Sequence, residues 1–247
     1  MMTEQAIALV TGANKGLGLE TCRQLAHHKM TVLMGARDLK IGREAADGLQ
    51  SEGMTVEPVQ LDVTRADHIA QVVAFIETRF GRLDILVNNA GMIHPDEPMF
   101  ANSAEQVSLQ ALRETFEVNF FGQVALTQAL LPLIKKSSAG RIVNVSSILG
   151  SLTLHSDESS QVTQVKPLAY DASKTALNQF TVHLAASLNK TPIKVNAAHP
   201  GWVKTDLGSQ RAPMEVEEGA KTAVRLAIIG PDGPTGKFFH FNEEIPW

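Results

Sequence analysis

The chain contains one tyrosine, Tyr170, and Lys174 stands four residues after it in "PLAYDASKTALN". Residues at i and i+4 share a helix face. A free phenol has a pKa of about 10 and is a poor acid or base at neutral pH. A neighbouring ammonium favours the phenolate and lowers that value. The pair is therefore expected to exchange a proton with a carbonyl or alcohol oxygen near neutral pH. Ser147 follows the apolar run "RIVNV" in "NVSSILG". A hydroxyl at a strand end can donate a hydrogen bond to the same oxygen as negative charge develops there. Satisfying local backbone groups is the plainer use of two adjacent serines, of which Ser146 is expected to point the other way.

A second constellation lies near the start. The apolar run "AIALV" leads into "VTGANKGLGLE", with glycines at 12, 16 and 18. A tight turn at Gly12, a close backbone approach at Gly16 and a helix with free N–H groups are what a dinucleotide pyrophosphate needs. A glycine-rich turn alone is weak, but strand and helix patterns flank this one. After the second apolar run the chain reads "TVLMGARD". An acidic residue there would hold a ribose 2′-hydroxyl, and an arginine a 2′-phosphate. Arg37 comes first and Asp38 one position later, with Lys15 adding charge from the glycine loop. A planar fork and a point charge suit a phosphate, which predicts NADP(H). The plainer alternative leaves Lys15 and Arg37 solvated and Asp38 capping the following turn.

These residues need elements to position them. Apolar runs at 6–10, 31–34, 56–63, 83–87, 141–145, 193–197 and 237–241 read as about seven strands, several rich enough in β-branched residues to be buried on both faces. Helix-length segments separate them. Leu109, Leu112, Phe116 and Phe120 mark one helix over 109–135, and Leu177, Phe180, Leu184 and Leu188 another over 171–188. The alternation predicts an α/β fold: a doubly wound parallel sheet of Rossmann type in one domain over 1–247. Residues 92–108, with Pro95 and Pro98, and the polar stretch 150–167 read as surface loops beside the ligand crevice.

Composition excludes several functions. The 247 residues carry a net charge of −4 and no long basic run, so nucleic-acid binding has no electrostatic support. The single cysteine, Cys22, excludes an internal disulfide and a cysteine-based zinc cluster, and reads as small core filling. No apolar segment is long enough to span a membrane, and "MMTEQAIALV" lacks the start of a signal peptide; a cytoplasmic protein is expected.

Together the motifs resemble the short-chain dehydrogenase/reductase family over nearly the whole chain. "TGANKGLG" (11–18), "NNAG" (88–91), "VNFFG" around Asn119, the "SS" pair, Tyr170-x-x-x-Lys174 and "HPGWVKT" follow in the family's order. The basic pair Lys15 and Arg37 resembles its NADP-preferring, carbonyl reductase-like members. The resemblance implies catalytic Asn119, Ser147, Tyr170 and Lys174. Tyr170 protonates a substrate oxygen, Lys174 contacts the nicotinamide ribose, Ser147 holds the oxygen, and Asn119 positions a water next to Lys174. For the cofactor it implies Gly12, Asn14, Lys15, Gly16, Leu17, Gly18 and Arg37. Asp62 and Val63, Asn89, Ala90 and Gly91, Tyr170 and Lys174, and Pro200, Gly201, Val203 and Thr205 complete that set. The chemistry implied is NADPH-dependent reduction of a ketone or aldehyde, with a small-molecule substrate and no metal. An NAD-linked alcohol or steroid dehydrogenase and a non-catalytic dinucleotide sensor remain as alternatives.

One departure concerns spacing. Ser147 and Tyr170 stand further apart than in many members, because of the polar stretch near 151–166. Carbonyl reductases resembling this chain carry an insertion there that obstructs the usual tetramer, so a monomer or homodimer is expected. Loop residues His94, His155 and Trp202 are possible substrate contacts, or simply packing. Met92, Ile93, Leu149 and Leu154 would give an apolar lining if their loops converge.

Overall fold

The structure, a computed structural model, describes residues 5–97 and 102–247. Pro98, within one of the expected loops, lies outside them. Eight strands form one sheet in the order β3-β2-β1-β4-β5-β6-β7-β8. They are β1 (Ile7–Thr11), β2 (Thr31–Ala36), β3 (Val56–Gln60), β4 (Ile85–Asn88), β5 (Arg141–Val145), β6 (Lys194–Ala198), β7 (Phe238–His240) and β8 (Glu243–Glu244). All neighbours pair in parallel except β7 with β8. The helices are α1 (Gly16–His27), α2 (Leu39–Ser51), α3 (Ala66–Phe80), α4 (Leu109–Phe116), α5 (Gly122–Ile134), α6 (Leu152–Ser156), α7 (Leu168–Ser187), α8 (Val216–Gly219) and α9 (Lys221–Ala227).

The strands are apolar on both faces because both faces are covered. In β1, Ala8 and Val10 join a core with Leu25 of α1 and Leu226 of α9. Ile7 and Leu9 point the opposite way, onto Ile76 of α3, Leu130 of α5 and Leu184 of α7. This period of two, buried on each side, is the sandwich that a parallel sheet requires. Fully buried Leu130 illustrates the scale: trimming it to Ala would cost about 2–5 kcal/mol. A polar ladder crosses the second core. Asn88 of β4 donates to Asn144 of β5 (2.8 Å) and Thr127 of α5 (2.9 Å), and Asn144 donates to Thr181 of α7 (2.8 Å). It ties α5 and α7 to the two strands that end beneath the reactive residues.

Several boundaries differ from the sequence expectation. The third apolar run leaves the sheet at Gln60, since Asp62 turns the chain by accepting from Thr64 N and Oγ1 (3.0 and 2.7 Å). The fourth strand begins at Ile85, because Asp84 serves the backbone N–H of Ile7 (2.9 Å). An eighth, two-residue strand returns antiparallel after β7. The expected helix over 109–135 is broken by a π-helical turn, Glu117–Phe121, between α4 and α5. Its expected apolar stripe is not a core stripe: Leu109 is exposed and Phe116 and Phe120 are half-buried, while Ala111 and Thr115 are the buried positions of α4. The polar stretch 150–167 is a surface excursion, as expected. It nevertheless holds α6 and a 3-10 turn, Gln161–Gln164, each started by a capping serine, Ser151 and Ser160.

Candidate active site

The sheet order reverses between β1 and β4, and ligands of open α/β sheets bind at that crevice. At the end of β1, Gly12 and Gly16 adopt φ values of 62° and 54°, which glycine reaches without strain. A Cβ on Gly18 would lie 2.2 Å from Gly12 O, so α1 packs directly on the turn. Lys15 precedes α1 without a side-chain cap, and the helix's first N–H groups stay available to an anion. Asn14 and Leu17 belong to the same loop and helix start. Asn89 backs it, its Nδ2 donating to Thr11 O (2.8 Å) and Gly12 O (3.3 Å), and Thr11 Oγ1 accepts from the N–H groups of Asn89 and Ala90 (2.9 and 2.8 Å). Thr11 was not singled out by sequence, although its place before the first glycine was the available signal.

An open cleft beyond the loop is lined by Arg37, Asp38, Leu39, Lys40, Gln60 and Asp62. Asp38 caps α2, its Oδ1 accepting from the N–H groups of Lys40 and Ile41. The exposed Arg37 guanidinium, with Lys40 in the same lining, is offered to a phosphate. Lys15 instead pairs with Asp206 across the glycine loop. Val63 is buried against Gly122, whose Cβ would stand 2.6 Å from Val63 O. On the far side Thr205 comes within 3.3 Å of a Cβ position on Gly16, Gly201 turns at φ 92°, and Val203 is buried beside Gly219. Pro200 and Ala90 sit at the same strand ends, after β6 and β4. A glycine cradle, free helix N–H groups and a basic rim fit a phosphorylated dinucleotide.

The structure brings Ser147, Tyr170 and Lys174 together at the end of β5. The 3-10 turn Ile148–Gly150 packs so closely on α7 that a Cβ on Gly150 would meet Lys174 C at 2.8 Å. Lys174 is 3% exposed; its Nζ donates to Val145 O (2.9 Å) and lies 5.6 Å from the Tyr170 ring centroid. Asn119, in the π turn, accepts from Met92 N and donates to Met92 O (both 2.8 Å) and to Ser173 Oγ (3.0 Å). Ser173 Oγ donates in turn to Tyr170 O (2.7 Å). A Cβ on Gly91 would stand 3.4 Å from both Asn119 Oδ1 and Lys174 Nζ, so the missing side chain keeps that corner open. Ser146 turns away, donating to Asn178 Oδ1 (2.6 Å).

The electrostatics differ from the expectation of a depressed phenol. Burial pushes Tyr170 up to about 12; the facing Ser147 hydroxyl pulls it down and the Asp171 carboxyl adds to the rise. Burial also pushes the Lys174 ammonium down to about 8. Lys174 Nζ stands 5.6 Å from the ring centroid, and desolvation of the phenol is the larger effect.

The remaining candidates divide. His94 is buried and faces Glu114 of α4, its Nε2 3.2 Å from the carboxylate. His155 Nε2 lies 2.9 Å from Leu149 O and 3.3 Å from Asp171 Oδ2, and burial pushes its pKa down. Leu154 is half-buried and packs against the cluster of Phe238 and Ile245; Met92, Ile93 and Leu149 are half-buried too. Trp202 is 46% exposed, with Nε1 donating to Gly208 O. Cys22 is fully buried and its thiol is pushed up, as core filling. No group of three metal-ligating side chains occurs among the described residues, nor any helix long and apolar enough to cross a membrane.

Residues 6–216 match the short chain dehydrogenase family. The chain belongs to the short-chain dehydrogenase/reductase family. It is 36% identical over its full length to short-chain dehydrogenase/reductase 1 of Saponaria officinalis, covering 97% of that protein. It is 33% identical to carbonyl reductase [NADPH] 1 of Mus musculus, with both chains covered in full. Among solved structures, the NADPH-bound carbonyl reductase from chicken fatty liver superposes with a TM-score of 0.85 at 28% identity, over 99% of this chain and 100% of the other.

Proposed function

We propose that this short-chain dehydrogenase/reductase is an NADPH-dependent carbonyl reductase that converts a ketone or aldehyde to an alcohol. The observation that carries the reading is the meeting of Ser147, Tyr170 and Lys174 next to Gly91, in the segment that backs the Gly12 turn, with Arg37 lining an open cleft past β2. The NADPH-linked relatives support the cofactor assignment. Bound in the cleft, NADPH supplies hydride to the carbonyl carbon. The glycine loop, Asn14, Leu17, Asp62, Val63, Asn89, Ala90 and Gly91, together with Pro200, Gly201, Val203 and Thr205, would hold it. Arg37, with Lys15, holds the 2′-phosphate.

Tyr170 donates its proton to the carbonyl oxygen. A phenol pushed up to about 12 stays protonated throughout the physiological range, which suits an acid. Ser147 donates a hydrogen bond to the same oxygen. The Lys174 ammonium stabilises the phenolate that remains, and Asn119 holds the Met92 loop against α7 and a water next to Lys174. Half-buried Met92, Ile93 and Leu149 favour an apolar substrate. The whole chain, 1–247, works as one domain, as a monomer or homodimer.

The test is a carbonyl panel with NADPH followed by absorbance, repeated with Tyr170→Phe. Turnover is expected to fall by about 10²–10⁴-fold in the variant, while NADPH still quenches protein fluorescence. A fully active Tyr170→Phe enzyme would overturn the mechanism.

A further inference from the structure

The N-terminus of α7 carries Tyr170 in its first turn, yet nothing local caps it. Pro167 stands at the cap position and offers no side-chain acceptor. The Asp171 N–H bonds back to Pro167 O (2.9 Å), which leaves three N–H groups without intrahelical partners: Leu168, Ala169 and Tyr170. The loop after β4 satisfies all three. Leu168 donates to Ser103 Oγ (2.8 Å), Ala169 to Glu97 Oε1 (2.7 Å) and Tyr170 to Glu97 Oε2 (3.1 Å). Ser103 Oγ itself donates to Glu97 Oε1 (2.8 Å), so one carboxylate organises the whole cap.

Glu97 and Ser103 are 5% and 3% exposed. A carboxylate that far from water persists only where donors surround it, and the positive end of a helix supplies them. A side-chain cap ordinarily belongs to the helix it serves. This one reaches across from 72 and 73 residues earlier in the chain.

We propose that Glu97 is a positioning residue for Tyr170: its carboxylate pins the first turn of α7 and so fixes the phenol against Ser147. The proposal rests on the reductase reading above. Without the carboxylate, two buried N–H groups lose their acceptors and the first turn frays. Fraying displaces the phenol but leaves the glycine loop and Arg37 untouched, because neither contacts the cap. The loss therefore falls more on kcat than on NADPH binding, to which the glycine loop and Arg37 still contribute. The loop keeps a second hold on the segment before α7, through the Asn102–Lys166 bridge and the 3.1 Å bond from Ser103 N to Lys166 O, so the variants have a frame to fold on.

The test combines kinetics with amide hydrogen exchange on the full chain. In Glu97→Ala, kcat is expected to fall at least tenfold, by more than NADPH affinity falls, and the Ala169 and Tyr170 amides to exchange at least tenfold faster. Glu97→Gln has the same shape and keeps one acceptor oxygen; it is expected to recover part of both losses, and it serves if the alanine variant does not fold. Unchanged exchange would overturn the cap. Faster exchange with unchanged kcat would overturn the positioning role and leave the cap purely structural. A wild-type protein that oxidises no NADPH with any carbonyl would overturn the reductase reading instead, a result distinct from either.

Discussion

Burial moves the ionisable residues around Tyr170 in opposite directions. The phenol goes up to about 12 and the Lys174 ammonium down to about 8, so below pH 8 the site holds a protonated acid beside a cation. Asp171 rises to about 8, first through burial and then through the Glu97 charge, with Lys166 pulling it back. Its Oδ1 is buried without a hydrogen-bond partner, which makes the charged form costly. The sign of the linkage follows. The folded state holds this proton more tightly than the unfolded chain, whose carboxyl titrates near 3.8. The stabilisation is complete below pH 3.8 and is lost as pH rises toward about 8. Asp171→Asn carries no such dependence. Its stability relative to wild type should therefore grow between pH 4 and 8, with a slope of at most about 1.4 kcal/mol per pH unit. Urea unfolding of both proteins at pH 5 and pH 8 measures it; parallel pH profiles would show that Asp171 ionises normally.

At the scale of elements, the β2–α2 turn and the β1–α1 loop each present one cation to the cleft, in different states. Arg37 is exposed, with Asp38 beside it engaged in capping α2. Lys15 is already paired with Asp206, so a phosphate must displace a carboxylate to reach it. Arg37→Ala should weaken NADPH by about 10- to 150-fold, the worth of about 1.5–3 kcal/mol for a charge-assisted hydrogen bond. NADH should be unaffected, and Lys15→Ala should cost NADPH less. Titrations with both cofactors decide this; equal losses of NADPH and NADH in Arg37→Ala would remove the 2′-phosphate role. These turns were legible because strand, glycine spacing and basic residue sit within a short stretch of chain. The strands were legible because burial on both faces writes continuous apolar runs. The π turn at Asn119 was not, since Phe116 and Phe120 keep helical spacing straight through it. Nor was the Glu97 cap, which joins residues 72 positions apart with no local pattern linking them. The phenol's upward shift was hidden for a related reason: sequence gives the i, i+4 spacing of Tyr170 and Lys174 but not the burial that overrides it.

For the whole molecule, the proposed monomer or homodimer rests on where the insertion folds. Residues 151–166 fold back on the start of α7: His155 of α6 reaches Asp171, and Lys166 Nζ reaches His155 O (3.4 Å). The insertion is also tied to the end of the sheet, with Ser151 Oγ donating to Pro246 O (2.7 Å) and Thr153 N to Trp247 O (2.9 Å). It therefore stands as a braced shoulder over the first turns of α7. A partner that packed a helix along that part of α7 would have to displace it and break these bonds. The α4–α5 segment carries three aromatic side chains, half-buried Phe116 and Phe120 and exposed Phe121, with ring centroids 5.3–6.2 Å apart. One such face on each subunit suffices for a two-fold pair, whereas a tetramer needs a second interface. Sedimentation equilibrium should thus show a monomer or a dimer at micromolar concentration. If dimeric, Phe121→Glu should dissociate it while leaving NADPH binding intact. A stable tetramer would show that the shoulder does not block α7, or that another face supplies the second contact, and the argument from the insertion would fail.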